Sequence, residues 1–235
     1  MTLPYAKSDS YKVFDAISGR YDVINTVLSG GLHRSWRKAL RRQLHNEFGQ
    51  TVLDLATGTA DVAIELVKDP RIAKVIGLDM SEGMIAIGRR KLRTGSLEDK
   101  IQLTVGDAQK LSFATATFDA ATMSFGIRNI PDTSACLREI YRVLKPRGRA
   151  LILEFALPRS KLLRSLHLFY LRNVLPKIGR MLSGHDTAYT YLNQTIEEFP
   201  FGDDFVNLMK KAGFQKAGHR SLTFGIVNLY WGDKA

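Results

Sequence analysis

"VLDLATGTADVA", Val52 to Ala63, decides how the chain is read. An apolar run halts at Asp54, a small polar loop follows, and helical spacing resumes at Val62, Leu66 and Val67. A strand, a loop and a helix in that order build the site where open α/β sheets take nucleotide-like ligands, outside the carboxyl end of the strand. Dinucleotide loops hold three glycines so that bare amides and a helix N-terminus can approach a diphosphate. Here one glycine, Gly58, stands between two carboxylates, Asp54 and Asp61. Two anions beside the loop would repel a pyrophosphate.

The pattern around this stretch alternates. "TVLDLA" (51–56), "KVIGLD" (74–79), "IQLTVGD" (101–107), "FDAATMSFG" (118–126) and "RALILEF" (149–155) read as buried strands. Between them, "DVAIELVKD" (61–69), "SEGMIAIGRRKLR" (81–93, opened by Ser81 as N-cap) and "TSACLREIYRVLK" (133–145, stopped by "KPRG") carry helical spacing. Strands alternating with helices predict an α/β fold, a mostly parallel twisted sheet with helices on both faces. The chain is read as one domain over 1–235: a helical, basic N-terminal cap (1–50), a cofactor-binding core (51–156), a helical insertion or lid (157–200), and a C-terminal helix with a strand pair turning near Gly225 (201–235).

The strand ends then matter: Asp54, Asp79, Asp107, the run Ser124 to Asn129, and Glu154. Acids that converge on one rim suit a cationic ligand. S-adenosylmethionine carries a sulfonium and an ammonium. Asp54 is placed to accept from the ammonium, Gly58 to let backbone approach closely, Asp79 to hold ribose hydroxyls, and Asp107 with Ala108 to flank the adenine. Asp61 either favours the helix N-terminus electrostatically or faces solvent. The series points to a Rossmann-like class I methyltransferase rather than a dehydrogenase.

The bulk numbers set bounds. The chain has 235 residues, 45% hydrophobic and 24% charged, enough for a packed core without staples. One cysteine, Cys136, excludes an internal disulfide and a multi-cysteine metal site; its apolar helix face makes it a packing residue. The first residues lack the apolar core of a secretory signal, and no stretch reaches the roughly 18–20 apolar residues of a membrane span. Thirty-four basic against 23 acidic residues leave +11. That balance admits nucleic acid, an anionic membrane or an acidic substrate, or solubility alone.

Longer blocks carry a resemblance. "VFDAISGRYDVINTVLSGGLHRSWR" (13–37), "VLDLATGTAD" (52–61), "GLDMSEGMIAIGRRKL" (77–92), "GDAQKLSFATATFDAATMSFGIRNIPD" (106–132), "CLREIYRVLKPRGRALILEF" (136–155), "YTYLNQTIEEFP" (189–200) and "AGFQKAGHRSLTFGIVNLYWG" (212–232) resemble, in order, the UbiE/MenG quinone C-methyltransferases. The resemblance implies S-adenosylmethionine as cofactor, contacted at Thr59, Asp79, Asp107, Ala108 and Ser124. It implies a polyprenyl hydroquinone as substrate, either demethylmenaquinol or a methoxy-benzoquinol, with a ring methyl gained. The chain departs from the family where glycines are usual, at Thr57 and Ala60, and "KPRG" replaces "KPGG". Alanine at 60 is tolerated if its φ is negative, and Thr57 adds bulk and a hydroxyl near the cofactor.

The chemistry names further candidates. Arg128 and Asn129 of "SFGIRN" follow the fourth strand, beside the expected methyl. Arginine is a poor base, so Arg128 is expected to stabilise a developing phenolate as a fixed cation. Tyr21 and Asp22 of "RYD", and His33, come from the N-terminal cap. His33 has the pKa range of a general base, or it caps a helix; Tyr21 is catalytic or packing. Tyr189 and Tyr191 line a prenyl tunnel or lie at the surface. "SKLLRSLHLFYLRNVLPKIGRML" (160–182) mixes apolar and basic residues as interfacial helices do, so peripheral contact with an anionic membrane is expected, or a lid packing its leucines on the core. The expected location is cytoplasmic, at the inner face of the cytoplasmic membrane. The short chain without a transit peptide favours demethylmenaquinol. Nucleic-acid methylation lacks its marks: "SFGIRN" stands where an N-P-P-Y-like tetrapeptide would be, and the lone cysteine follows alanine rather than proline. A binding protein that uses the fold without turnover is the other alternative; the oligomeric state is left open.

Overall fold

The computed structural model describes residues 6–177 and 187–235. The described residues begin with three short α-helices, α1 (Ser10–Ile17), α2 (Tyr21–Leu28) and α3 (His33–Arg41), with 3-10 turns at Lys7–Asp9 and Ser18–Arg20. The core then alternates β1 (Gln50–Leu55), α4 (Asp61–Leu66), β2 (Ile72–Asp79), α5 (Glu82–Thr94), β3 (Ile101–Val105), β4 (Phe118–Ser124), α6 (Thr133–Val143) and β5 (Leu144–Phe155). After α7 (Lys161–Phe169) and a π-helical turn at Tyr170–Val174 come α8 (Thr187–Glu198), α9 (Asp203–Lys211), β6 (Gln215–Leu222) and β7 (Val227–Asp233). The seven strands among the described residues form one sheet in the order β3-β2-β1-β4-β5-β7-β6, parallel except where β7 runs against β5 and β6. That is the Rossmann-like class I methyltransferase architecture expected from the alternation.

Strands buried on both faces read as continuous apolar runs, and "VLDL" is one: Val52, Leu53 and Leu55 are fully buried. Leu53 and Leu55 pack with Phe118, Met123, Leu137 and Ile140 under α6 and α9. Val52 packs on the opposite face with Trp36, Leu40, Val62 and Leu66, under α3 and α4. A third, smaller cluster holds Ile24, Leu157, Leu171, Leu175 and Ile196, where α2 meets the insertion. Cys136 is fully buried in the first cluster, and burial pushes its thiol far up, as a packing residue requires.

The edges differ from the sequence reading. The fourth strand stops at Ser124, because Phe125 turns to φ 58° and the chain enters a 3-10 turn over Ile127–Asn129. The helix read to 145 ends at Val143, and "KPRG" bulges within β5, with Arg147 at φ 63°. The helix read over 61–69 stops at Leu66. The hairpin turns at Thr223–Gly225, as read, but β7 inserts between β5 and β6, which no local pattern announces.

Candidate functional site

The loop after β1 alternates in backbone hand: Ala56, Gly58 and Ala60 have φ of 49°, 55° and 67°. Gly58 leaves room for the Tyr21 ring, whose Cε1 would lie 4.0 Å from a Cβ there. Gly126 approaches more tightly, since a Cβ on it would lie 2.4 Å from that of Ala56. The expectation of a negative φ at residue 60 is therefore corrected. Ala60 takes the left-handed conformation that disfavours L-residues by roughly 1–2 kcal/mol. Its methyl is fully buried in the second cluster, which offsets part of that cost. Ala60→Gly is accordingly expected to leave stability within about 0.5 kcal/mol, because strain relief is cancelled by lost burial and a freer unfolded chain. Urea unfolding of the two proteins measures it.

A cleft opens over this loop, with Gly58, Asp79, Met80, Ala108, Ser124 and Asn129 in its walls. Asp79, at the end of β2, accepts from the Gly58 amide at 2.8 Å and the Ser81 amide at 2.9 Å. Burial raises its carboxyl above the usual range, against those two bonds. Ser124 Oγ and Asn129 Oδ1 are buried in the same walls without a hydrogen-bond partner among the described residues. Buried polar groups are normally satisfied, so these two atoms, with the carboxylate, fit a ligand that brings its own donors and acceptors. S-adenosylmethionine, with ribose hydroxyls, an ammonium and an adenine, meets that donor set.

Three expected contacts are placed elsewhere. Asp54 does not line the cleft. It is 1% exposed, and its oxygens accept from Thr57 Oγ1 and Thr122 Oγ1, each at 2.6 Å. Burial pushes its carboxyl up to about 6. Its carboxyl lies beneath the loop, so the expected direct contact with an ammonium does not follow from this geometry. Thr57 thus turns its hydroxyl inward to Asp54. Thr59 is buried too: its hydroxyl donates to Asp22 at 2.7 Å and accepts from Lys91 at 2.8 Å. Lys91 also pairs with Asp22 and with Asp61, and Arg37 reaches Asp61 at 2.8 Å. Burial works against it, yet Arg37 and Lys91 hold Asp61 below the usual carboxylate range, so Asp61 is an ionic anchor for the cap. Asp107 binds the Gln109 amide at 2.8 Å at the rim; Ala108, not Asp107, reaches the cleft wall.

A second cavity of about 380 Å³ adjoins the first and shares Phe14, Tyr21 and Phe125 with it. Its walls are mainly apolar: Ile17, Ile24, Leu28, Trp36, Phe155, Leu171 and Ile196 among them. This is within the usual span of small-molecule pockets. Arg128 lines it. The guanidinium pairs with Glu154 at 2.8 Å, donates to the Phe125 carbonyl at 2.5 Å and lies 5.3 Å from the Phe155 ring centroid. Glu154 is fully buried; burial raises its carboxyl, and Arg128 opposes that rise. Arg128 and Asn129 therefore diverge, one to each cavity, although they are neighbours in sequence. Tyr21 stands at the junction, its phenol pushed up by burial. His33 is buried in the wall of the second cavity, with Nδ1 2.6 Å from Ser29 Oγ. Tyr191 is buried there too, whereas the side chain of Tyr189 and residues 178–186 of the insertion lie outside the described residues. The sequence reading missed Phe14, Phe125, Asn25 and Ser29. Only the last two left a signal: Tyr21, Asn25, Ser29 and His33 recur every fourth residue.

The model of the ubiE/COQ5 methyltransferase family matches residues 5–234. The chain is 43% identical to a ubiquinone/menaquinone biosynthesis C-methyltransferase from Geobacter sulfurreducens, over 94% of this chain and 87% of that one. It is 41% identical to a demethylmenaquinone methyltransferase from Bacteroides fragilis, over 95% and 91%. Among solved structures, a SAM-dependent methyltransferase from Aquifex aeolicus shares the fold, with a TM-score of 0.62 at 17% identity over 85% of this chain and 89% of that one.

Proposed function

Because the chain belongs to the ubiE/COQ5 methyltransferase family, we propose that its two adjoining cavities serve C-methylation of demethylmenaquinol to menaquinol. The enzyme is an S-adenosylmethionine-dependent methyltransferase that acts on a quinol ring. The observation that carries the cavity assignment is the shared wall of Phe14, Tyr21 and Phe125, which joins a cleft holding Asp79, Ser124 and Asn129 to a large apolar chamber. A polyprenyl hydroquinone needs both an apolar chamber for its tail and a ring position beside the cofactor. The naphthoquinol is preferred because a relative at 41% identity carries that substrate in its name.

The cofactor supplies an electrophilic methyl on a sulfonium. Asp79 would receive ribose hydroxyls, and Ser124 and Asn129 would hold other polar groups of the cofactor. Tyr21 and Phe14 close the cap over the loop and keep water from the junction. Fixing a ring carbon in line with the methyl can supply roughly 7–11 kcal/mol of the barrier. Arg128, held by Glu154, presents a fixed cation to a developing phenolate in a dry site. The test is competition: reduced demethylmenaquinol and reduced methoxy-benzoquinol with equal short tails, compared by kcat/KM. A naphthoquinol preference of tenfold or more is expected, and an equal or reversed preference removes the menaquinol assignment.

In the same reading α7 rests on an anionic membrane, at the inner face of the cytoplasmic membrane. No helix among the described residues is long and apolar enough to cross one. Leu162, Leu166 and Phe169 are exposed on α7 beside Lys161 and Arg164, and none of its residues is buried. Exposed apolar residues interleaved with basic ones suit an interfacial helix. The double change Leu166→Glu, Phe169→Glu is expected to lower binding to vesicles containing anionic lipid at least tenfold. Turnover of a short-tailed quinol in detergent should stay within twofold. Sedimentation with vesicles and a label-transfer assay read the two.

A further inference from the structure

The second cavity is mainly apolar; besides Arg37, Arg128, His167, Tyr170 and Tyr191, its polar lining includes a series of four residues from the N-terminal helices. Tyr21, Asn25, Ser29 and His33 follow at steps of four, from α2 across its end into α3, and all four line the chamber. Steps of four keep Tyr21 and Asn25 on one face of α2; the chain then turns through left-handed Gly30 and Gly31, and His33 reaches the chamber from the start of α3. The stripe begins at Tyr21, at the junction with the cofactor cleft, and runs into the chamber.

Ser29 sets the hydrogens of this stripe. Its hydroxyl lies 2.6 Å from the Asn25 backbone carbonyl and 2.6 Å from His33 Nδ1. A carbonyl can only accept, so the single Ser29 hydrogen points to Asn25. Nδ1 must then be the donor to Ser29 Oγ. In a neutral imidazole one nitrogen donates and the other accepts, which leaves Nε2 with the lone pair. We propose that His33, locked as the Nδ1–H tautomer by Ser29, is the catalytic base that takes the quinol hydroxyl proton on Nε2. The proposal rests on the quinol methylation reading above.

The proton inventory closes. His33 Nε2 accepts the hydrogen of the hydroxyl next to the reacting carbon. The ring carbon forms its bond to the methyl, and the C–S electron pair stays on sulfur. The ring is left with a carbonyl and an sp³ carbon that carries both methyl and hydrogen. That hydrogen leaves as a proton to water, the carbonyl oxygen regains the proton from His33, and the ring is aromatic again. One proton is released per methyl transferred, and His33 is restored. Its surroundings keep it ready: burial first, then the Arg37 and Arg34 guanidiniums, hold its pKa below the ordinary value, while Asp61 and Asp22 pull the other way. His33 is therefore neutral at pH 7, as a base must be.

The experiment compares wild type, His33→Gln and Ser29→Ala, with reduced short-tailed demethylmenaquinol as acceptor. For His33→Gln, kcat should fall at least 100-fold, the range of general-base loss, with affinity for S-adenosylhomocysteine within twofold. The acid limb of the wild-type pH–kcat profile, below pH 6.5, should vanish. Ser29→Ala, which frees the tautomer, should cost about tenfold and keep that limb. Nitrogen-15 chemical shifts of the histidines should report Nδ1–H at His33 in wild type and a mixture in Ser29→Ala. A fall in kcat of under fivefold in His33→Gln, an unchanged acid limb, or an Nε2–H signal in wild type overturns the proposal. A wild-type enzyme that binds S-adenosylhomocysteine yet methylates neither this quinol nor reduced methoxy-benzoquinol, run as a second acceptor, overturns the quinol reading beneath it, a failure the nitrogen-15 spectrum distinguishes from a wrong tautomer.

Discussion

Arg128→Leu should cost about 3–5 kcal/mol of folding stability at pH 7, the loss typical when one partner leaves a buried ion pair. Arg128 is 4% exposed and Glu154 is not exposed at all. Glu154 keeps two backbone donors, the Phe155 amide at 2.8 Å and the Arg128 amide at 3.4 Å, but these do not neutralise a charge in an apolar wall. Burial already raises its carboxyl, and the guanidinium is what resists that rise. Without it, Glu154 takes up a proton in the folded state. A carboxyl raised on folding contributes stability below its unfolded pKa and loses it as pH rises through the folded one. The deficit of the variant should therefore shrink when the pH is lowered from 7 to 5. Removing the second charge as well, in Arg128→Met with Glu154→Leu, should recover most of the stability. Activity should return in neither, because the cation facing the ring is gone. Urea unfolding at the two pH values and a methyl-transfer assay test both parts. A single variant that loses less than about 1 kcal/mol would mean that the Glu154 charge is held by something other than Arg128.

Asp54→Asn should do the reverse, raising stability while weakening the cofactor. The Asp54 carboxyl is pushed up to about 6 by burial, even with two hydroxyls donating to it. Against an ordinary 3.8, that rise of about two units corresponds to roughly 3 kcal/mol of stability. The sign follows from proton uptake by the folded state: this contribution is whole below pH 3.8, fades as pH rises, and is gone above about 6. At pH 7 the anion is thus held at a cost, which asparagine removes apart from one hydroxyl that must turn round. Asp54→Asn is expected to be about 1–3 kcal/mol more stable than wild type at pH 7, with the gap closing towards pH 4. The affinity for S-adenosylmethionine should fall about tenfold or more, and the neutral-sulfur product S-adenosylhomocysteine should lose less. Such a pattern means that the fold keeps a destabilising charge for the sake of a cationic ligand. Equal losses for the two ligands would contradict it.

Much of this architecture is legible in the chain because it is local. Alternating strands and helices, Ser81 as the cap of α5 (its hydroxyl accepts from the Met84 amide at 3.1 Å) and Asp79 closing β2 all follow from periodicity and capping within a dozen residues. Asp54 and Thr59 show the limit of that reasoning. Both stand at the expected sequence positions, but their side chains turn inward, to hydroxyls at 57 and 122 and to Asp22 and Lys91. Side-chain direction at the end of a strand is set by what packs beneath it, and of those partners the stretch from 52 to 63 contains only Thr57. Ala60 fails for a related reason. Its left-handed φ belongs to a loop folded against Gly88, whose own added Cβ would lie 3.3 Å from the Ala60 methyl. The chamber was the least legible part. Phe125, Phe155 and Trp36 come from three distant segments, and their rings meet only in the fold, with centroids 4.5 to 6.4 Å apart.

The central claim, that the cleft over the loop and the apolar chamber bring a cofactor methyl to a quinol ring, is tested most directly by following the methyl itself. Purified enzyme would be incubated with S-adenosylmethionine bearing a deuterated methyl and with chemically reduced demethylmenaquinol, and mass spectrometry would locate the label. The account predicts the intact deuterated methyl on a ring carbon of the quinol, one per turnover, and none with the oxidised quinone. Cofactor binding without label on the reduced ring would contradict it.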